Sequence, residues 1–265
     1  NRPAFALFME QRTGKTRVVL ETVRHLQETA GLDGLLVIAP NGVHRNWIAE
    51  ELPRWLTETP YSTHLWRSDR AQRTPVIAER QALLTASNLA VLAVNVEALR
   101  VDACYKYCGQ FLRRRKTLLV VDESQVIASP GAAQTKRALA LSNLSHWRRI
   151  LTGTPATESP FQLYSQFAFL SKTLLGHATY ASFKSRYGVW SEGYSWNQGR
   201  TYPKLESYRN LEELTTKIAP HSFRVRRADC ADLPPKVYAK RFFDLTPTQR
   251  SAYDRLRDEA ATELA

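Results

Sequence analysis

Three continuous apolar runs leave this chain few folds to choose from: Leu35-Leu36-Val37-Ile38-Ala39, Val91-Leu92-Ala93-Val94 and Thr117-Leu118-Leu119-Val120-Val121. A strand with one wet face alternates polar and apolar residues; an uninterrupted apolar run fits a strand covered on both faces, as in a parallel sheet. Phe5-Ala6-Leu7-Phe8-Met9 and Arg149-Ile150-Leu151-Thr152 read as further strands. Between the first two runs the period changes. Val19, Val23 and Leu26, flanked by Leu20, recur at helical spacing, and Gly31 and Gly34 are placed to end that helix. Pro40 stops the next run, Asn41 is a fitting N-cap, and Val43, Trp47 and Ile48 are the inward positions of a helix with Pro53 close to its end. Strands separated by helices imply βαβ units, hence an α/β fold with a doubly wound parallel sheet and helices on both faces.

Such sheets bind ligands beyond the carboxyl ends of their strands. Three short motifs fall there. Thr13-Gly14-Lys15-Thr16 follows the first strand and opens a helix. Backbone N–H groups at a helix start attract phosphate, a lysine adds a point charge for the β and γ phosphates, and a threonine hydroxyl suits magnesium. Arg12, Thr13, Gly14, Lys15, Thr16 and Arg17 are therefore the candidate nucleotide-binding residues. The loop departs from the common pattern at Met9, where a small residue is usual, and at Arg12, where glycine is frequent. Asp122-Glu123 closes the third of the continuous apolar runs. Asp122, with Thr16, is the candidate magnesium site, and Glu123, with Lys15, the candidate catalytic pair, the glutamate accepting a proton from the attacking water. Thr152-Gly153-Thr154-Pro155 ends the last strand; together with Gln125 it is the candidate link from the nucleotide to a second surface. A plain acidic loop and a plain β-turn explain the second and third motifs singly, but not their order behind a phosphate loop.

The formal net charge is +12, an excess that favours a polyanionic partner, nucleic acid first. The run Arg113-Arg114-Arg115-Lys116 alone reads as a solvated loop. Cys104, Cys108 and Cys230 have no second pair to build a zinc site and read as reduced thiols of a cytosolic protein. No apolar stretch is long enough for a membrane helix, so no membrane partner is expected. The chain begins at Asn1 without an initiator methionine or secretory pattern, so upstream sequence is expected.

After Pro160 the pattern changes. Phe161, Tyr164, Phe167, Phe169 and Leu170 predict helices with aromatic faces, and Val189 to Lys204, with Trp190, Tyr194, Trp196 and Tyr202, reads as a hairpin or long loop. Packing over the core is its expected fate; stacking on bases is the alternative. Thr246-Pro247-Thr248-Gln249 has the spelling of a helix start with a capping box, and Tyr253, Leu256 and Ala260 share one face of that helix. The expected domains are residues 1–225, with an aromatic helical insertion near 160–215, and a connector with helix at 226–265.

With these motifs in hand the chain resembles the first RecA-like lobe of a superfamily-two helicase. In detail it is similar to the Swi/Snf group of DNA-translocating ATPases, viral or bacterial members included. Val37-Ile38-Ala39-Pro40 with Asn46-Trp47, Glu51 and Trp55, and Val94-Asn95-Val96-Glu97, resemble segments that touch the nucleic-acid backbone in that family. Asp122-Glu123-Ser124-Gln125 stands where it usually has Asp-Glu-Ala-His, and Leu151 to Pro155 matches its third motif. Phe161-Gln162-Leu163-Tyr164 followed by Phe169-Leu170 resembles the helix beyond it. Arg226-Arg227, Leu233-Pro234-Pro235-Lys236 and Leu245-Thr246-Pro247-Thr248-Gln249 resemble its exit from the lobe.

The resemblance implies ATP and Mg2+ as cofactors and duplex DNA as the track. It also implies a second RecA-like lobe supplying arginine fingers, and adenine-reading residues upstream. Asn41, Arg45, Asn95 and Ser129 are the candidate nucleic-acid contacts. The isolated chain is expected to hydrolyse ATP weakly or not at all. Its expected location is the cytoplasm, the host's if viral, with the nucleus open. Two readings of other classes stand beside this one: a P-loop kinase or small-molecule NTPase, and a catalytically silent nucleic-acid-binding domain.

Overall fold

The computed structural model describes residues 2–68, 73–195, 199–230 and 239–263. It divides the chain into two units, Asn1–Ala231 and Asp232–Ala265. In chain order the first unit contains β1 (Ala4–Met9), α1 (Lys15–Ala30), β2 (Gly34–Ala39), α2 (Val43–Asn46), α3 (Leu52–Trp55), β3 (Tyr61–Leu65), α4 (Thr74–Thr85), β4 (Leu89–Asn95), α5 (Asp102–Arg114) and β5 (Thr117–Asp122). It continues with α6 (Ala133–Ser142), β6 (Trp147–Leu151), α7 (Leu163–Leu170), α8 (Tyr180–Tyr187), β7 (Gly188–Ser195), β8 (Arg200–Tyr208), α9 (Leu211–Ile218) and β9 (Ser222–Val225).

Seven strands form one sheet in the order β3-β4-β2-β5-β6-β1-β9, and every pairing is parallel. This is the RecA-like α/β sheet expected from the apolar runs. Alternate residues of each run serve opposite faces, as the strand period of two requires. Ala6, Phe8, Leu36, Ile38, Leu92, Val94, Leu119 and Val121 pack under α4 to α9, with Phe111, Phe167, Phe183 and Leu214. Leu7, Met9, Leu35, Val37, Val91, Ala93, Leu118 and Val120 pack against α1 and the helical run from Val43 to Trp55, with Val19, Leu20, Val23, Leu26, Trp47 and Leu52. A fully buried aliphatic side chain contributes about 1.5–3 kcal/mol, so two-sided burial makes the sheet the rigid platform of the molecule.

Several local expectations are corrected. Gly31 does end α1, at φ 66°, with its N–H on the Gln27 carbonyl and Leu32 N–H on the Leu26 carbonyl. Gly34 instead opens β2, where a Cβ would sit 2.7 Å from Thr117 Cγ2. Asn41 is not the cap of α2: Gly42 holds that place at φ 87°, and no side chain caps the helix. Pro53 does lie close to the end of the helical run from Val43, which stops at Trp55; ahead of it Trp47–Glu51 forms a π-helical turn in which Leu52 N–H reaches the Trp47 carbonyl. The widened turn displaces carbonyls ahead of a proline ring that has no N–H to give. The basic run is not all solvated. Arg115 is buried and donates to the carbonyls of Asp33, Leu83, Ala86 and Asn88, clamping the loops at the amino ends of β2, β4 and β5.

β7 and β8 pair antiparallel, Gly188 opposite Tyr208 and Ser195 opposite Arg200. The root of this pair packs on the core, with Trp190 stacked on Phe161 at 5.9 Å and 10°. Farther out, Tyr194 and Tyr202 are about half exposed. Trp196 and Leu233-Pro234-Pro235-Lys236 lie outside the described residues. In the second unit, α10 (Pro247–Glu263) starts with the anticipated capping box: Thr246 N–H donates to Gln249 Oε1, and Gln249 N–H to Thr246 Oγ1. Tyr253 and Leu256 are exposed.

Candidate nucleotide site

The loop after β1 turns on two residues in the left-handed region, Arg12 at φ 65° and Gly14 at φ 91°. Glycine adopts this conformation without penalty, whereas a non-glycine residue costs about 1–2 kcal/mol. Arg12 therefore carries strain where glycine is common, and its exposed side chain does not crowd the loop. A Cβ on Gly14 would meet nothing within 4 Å, so the loop borders open space. No side chain caps α1 and no acidic residue occupies its first turn. Uncapped first-turn N–H groups and the helix dipole make this an anion seat. Lys15 folds back across it, Nζ donating to the Met9 carbonyl at 2.8 Å and the Glu10 carbonyl at 3.2 Å. Thr13 Oγ1 also donates to Glu10 O, at 2.7 Å.

Asp122 ends β5, and β6 separates β5 from β1. Two strand spacings, about 10 Å, thus part the phosphate loop from the acidic pair. The Asp122 carboxyl is buried, and burial pushes its pKa above the usual carboxylate range. The Trp47 indole N–H, 2.9 Å from Oδ2, and the Glu123 N–H, 2.9 Å from Oδ1, oppose that rise, as does the charge of Lys15; the Glu123 carboxylate adds to it. Of these influences on Asp122 the Lys15 charge is the weakest.

Glu123 takes the left-handed φ of 48°. Its carboxylate accepts from Gln125 Nε2 at 3.0 Å. Gln125 Oε1 in turn accepts the Thr152 hydroxyl at 2.7 Å, and Thr152 Oγ1 accepts the Thr154 N–H at 3.0 Å. The second and third motifs are therefore one hydrogen-bonded chain. Gly153 closes it against the loop: a Cβ there would lie 3.2 Å from Glu10 Cα. Glu10, Glu123, Gln125, Gly153, Thr154 and Arg227 border an open cleft of about 550 Å³. A cleft of about 570 Å³ beside Phe5, Val18, Arg149 and Phe223 contains none of the predicted site residues, so size does not mark the site; its chemistry does.

The remaining candidates divide. Asn95 pairs with Ala39 in the sheet, so Asn41, Arg45 and Asn95 stand together beyond the carboxyl ends of β2 and β4. Asn41 and Arg45 are exposed, and Asn95 Nδ2 donates to Glu97. Ser129 is exposed in the loop beyond β5 and shares no hydrogen bond with those three among the described residues. Arg17 lies with its guanidinium 4.7 Å from the Trp55 ring.

Four positions that brace or border the site were not among the candidate site residues. Trp47 read as an inward helix residue, and its donation to Asp122 follows from β2 lying beside β5. Buried Gln166 accepts from Ser124 Oγ at 2.6 Å and donates to the Pro155 carbonyl at 2.6 Å, bracing both motifs. Glu10 takes the Arg227 N–H at 2.9 Å, tying the phosphate loop to the segment after β9. Arg227 itself borders the cleft. An indole in a core needs an acceptor, which was the one available signal for Trp47.

A RecA-like sheet with a phosphate loop after β1 and an acidic pair at the end of β5, two strands away, defines a P-loop nucleotide-binding lobe. The model of the SNF2-related domain matches residues 6–265, and the chain belongs to that family. Among curated relatives it is 25% identical over 257 residues to the chromatin-remodeling ATPase INO80 of Aspergillus oryzae, covering 95% of this chain and 17% of the relative. It is 27% identical over 228 residues to the DNA annealing helicase and endonuclease ZRANB3 of Mus musculus, covering 80% and 18%. The chain thus spans less than a fifth of the length of these relatives. The Sulfolobus solfataricus SWI2/SNF2 ATPase core in complex with dsDNA shares the fold, at a TM-score of 0.62 and 24% identity over 94% of this chain and 46% of that one.

Proposed function

We propose that this chain is the first lobe of a nucleic-acid-stimulated ATPase that moves along duplex DNA. One observation carries the reading: Glu10 beside the phosphate loop, Glu123 and Gln125 of the acidic motif, and Gly153 and Thr154 of the third motif, far apart in sequence, border one cleft. Family membership and similarity to a chromatin-remodeling ATPase and a DNA annealing helicase support it. The N–H groups at the start of α1 and the Lys15 ammonium bind the triphosphate, once Lys15 leaves the Met9 and Glu10 carbonyls. The donor set fits magnesium, a hard cation that takes few protein oxygens: the Asp122 carboxylate, with oxygens fixed by two N–H groups, and the Thr16 hydroxyl. When bound, the ion neutralises charge on the phosphates.

Glu123 orients water toward the γ-phosphorus and takes its proton as the new P–O bond forms and the bond to the bridging oxygen breaks, releasing ADP and phosphate. Gln125 holds the Glu123 carboxylate and passes its position to Thr152 and Thr154. Asn41, Arg45, Asn95 and Ser129 contact the phosphate backbone, which carries affinity without sequence preference.

The test is ATP turnover by the full-length protein with duplex DNA, single strands and RNA in turn. Duplex DNA should stimulate most. Lys15→Ala should lose ATP binding, and Glu123→Gln should keep binding while turnover stops. The 265-residue chain alone should turn over about a thousandfold more slowly, for want of arginines from a second lobe. Phosphate transfer to a metabolite without response to DNA would instead identify a kinase.

A further inference from the structure

We infer that Trp47 is a positioning residue for Asp122, holding the carboxylate in the orientation that receives the metal. The inference rests on the reading of Asp122 as magnesium ligand.

Trp47 is 1% exposed and Asp122 7% exposed, and they are joined by a 2.9 Å bond from Nε1 to Oδ2. The opposite oxygen, Oδ1, takes the Glu123 N–H at 2.9 Å. Each carboxylate oxygen therefore has one fixed donor and keeps a lone pair for a further ligand. Two donors on opposite oxygens define the plane of the carboxylate; one alone leaves it free to rotate about the Cβ–Cγ bond. The bond crosses the sheet face from the helical run after β2 to the end of β5, so no local sequence feature substitutes for it.

The setting of Trp47 adds to the argument. It opens the π-helical turn Trp47–Glu51, a geometry frequent at functional sites. At the far end of that turn Glu51 accepts the Trp55 indole N–H at 3.0 Å, and the Trp55 ring carries the Arg17 guanidinium at 4.7 Å. Arg17 immediately follows Thr16, the other proposed metal ligand. One short helical run thus meets Asp122 through Trp47 and the Arg17 side chain through Trp55. The exposed Asn41 sits just ahead of the helical run from Val43, and the exposed Arg45 lies in its first turn. Groups that orient metal ligands typically change metal affinity about 10–100-fold when removed.

The test uses the full-length protein and a fluorescent ATP analogue, titrated with and without Mg2+. Trp47→Phe keeps an aromatic ring and removes the N–H. Analogue binding without Mg2+ should stay within twofold of wild type, and the Mg2+ concentration for half-maximal tightening should rise about tenfold. In an Asp122→Asn background the same substitution should add nothing further. If Trp47→Phe lowers the melting temperature, replacing Trp47 by benzothienylalanine, which puts sulfur at the N–H position in a side chain of the same outline, gives the cleaner comparison. Equal weakening with and without Mg2+, or full additivity with Asp122→Asn, would mean that Trp47 merely packs and would overturn the inference. Should Asp122→Asn itself leave the Mg2+ dependence untouched, the parent reading of Asp122 fails, and this inference with it.

Discussion

Gly153 has no room for a methyl group. Its missing Cβ would lie 3.2 Å from Glu10 Cα and 3.4 Å from Met9 O, both backbone atoms of the phosphate loop. Gly153→Ala should therefore push the loop and weaken ATP binding about tenfold, or about 1.4 kcal/mol, while the fold persists. An equilibrium titration with ATP measures this, and an affinity within twofold of wild type would mean that the loop absorbs the methyl. Arg115 makes a different case. Its guanidinium is the partner of four backbone carbonyls. Arg115→Met should leave them unmatched and cost about 3 kcal/mol, read by chemical denaturation; a loss below about 1 kcal/mol would show that water replaces the clamp. These two residues mark what the sequence could tell. Lys15, Asp122 and Gly153 were legible because their chemistry is written in adjacent letters. Arg115 and Trp47 were not, since their partners lie up to 82 and 75 residues away and depend on which strands become neighbours.

Elements buried on both faces were the legible ones. Two-sided burial demands an unbroken apolar run, which is why β2, β4 and β5 stand out by eye. The edge strands β3, Tyr-Ser-Thr-His-Leu, and β9, Ser-Phe-Arg-Val, are half exposed and carry no such signature. The aromatic region beyond Pro160 was legible as helical, but what fixes it was not. Glu213 on α9 receives Arg186 from α8 and accepts from Lys217 and the Tyr187 hydroxyl. The Arg186 guanidinium is the chief reason its pKa falls from 4.5 to about 2, with Lys217 next. A depressed carboxylate stabilises the fold above the unfolded pKa and loses that contribution as pH drops through the folded one. Glu213→Gln should therefore loosen the α8–α9 contact at neutral pH. The difference from wild type should shrink between pH 4.5 and about 2. Hydrogen exchange of α8 amides across that range tests it, and a difference that persists at pH 2 would place the stabilisation in packing instead.

For the molecule as a whole, the excess of 37 basic over 25 acidic residues was plain from the sequence, but not where a polyanion would lie. The order of strands supplies that. Because β2 and β4 are neighbours, Asn41, Arg45 and Asn95 gather at one edge of the sheet's carboxyl end, a juxtaposition set by pairings that no local pattern encodes. Binding through phosphates releases counterions, so affinity falls with salt at a log–log slope of about −0.9 per contact. If Arg45 makes one such contact, Arg45→Ala should weaken binding equally for unrelated duplex sequences and reduce the slope by about one. Fluorescence anisotropy of the full-length protein on two such duplexes, at several NaCl concentrations, reads both quantities together. A weaker affinity with an unchanged slope would place Arg45 off the phosphates and tie its effect to the neighbouring helical run. A loss confined to one sequence would make it a reader of bases, which the backbone-directed motor described above does not require.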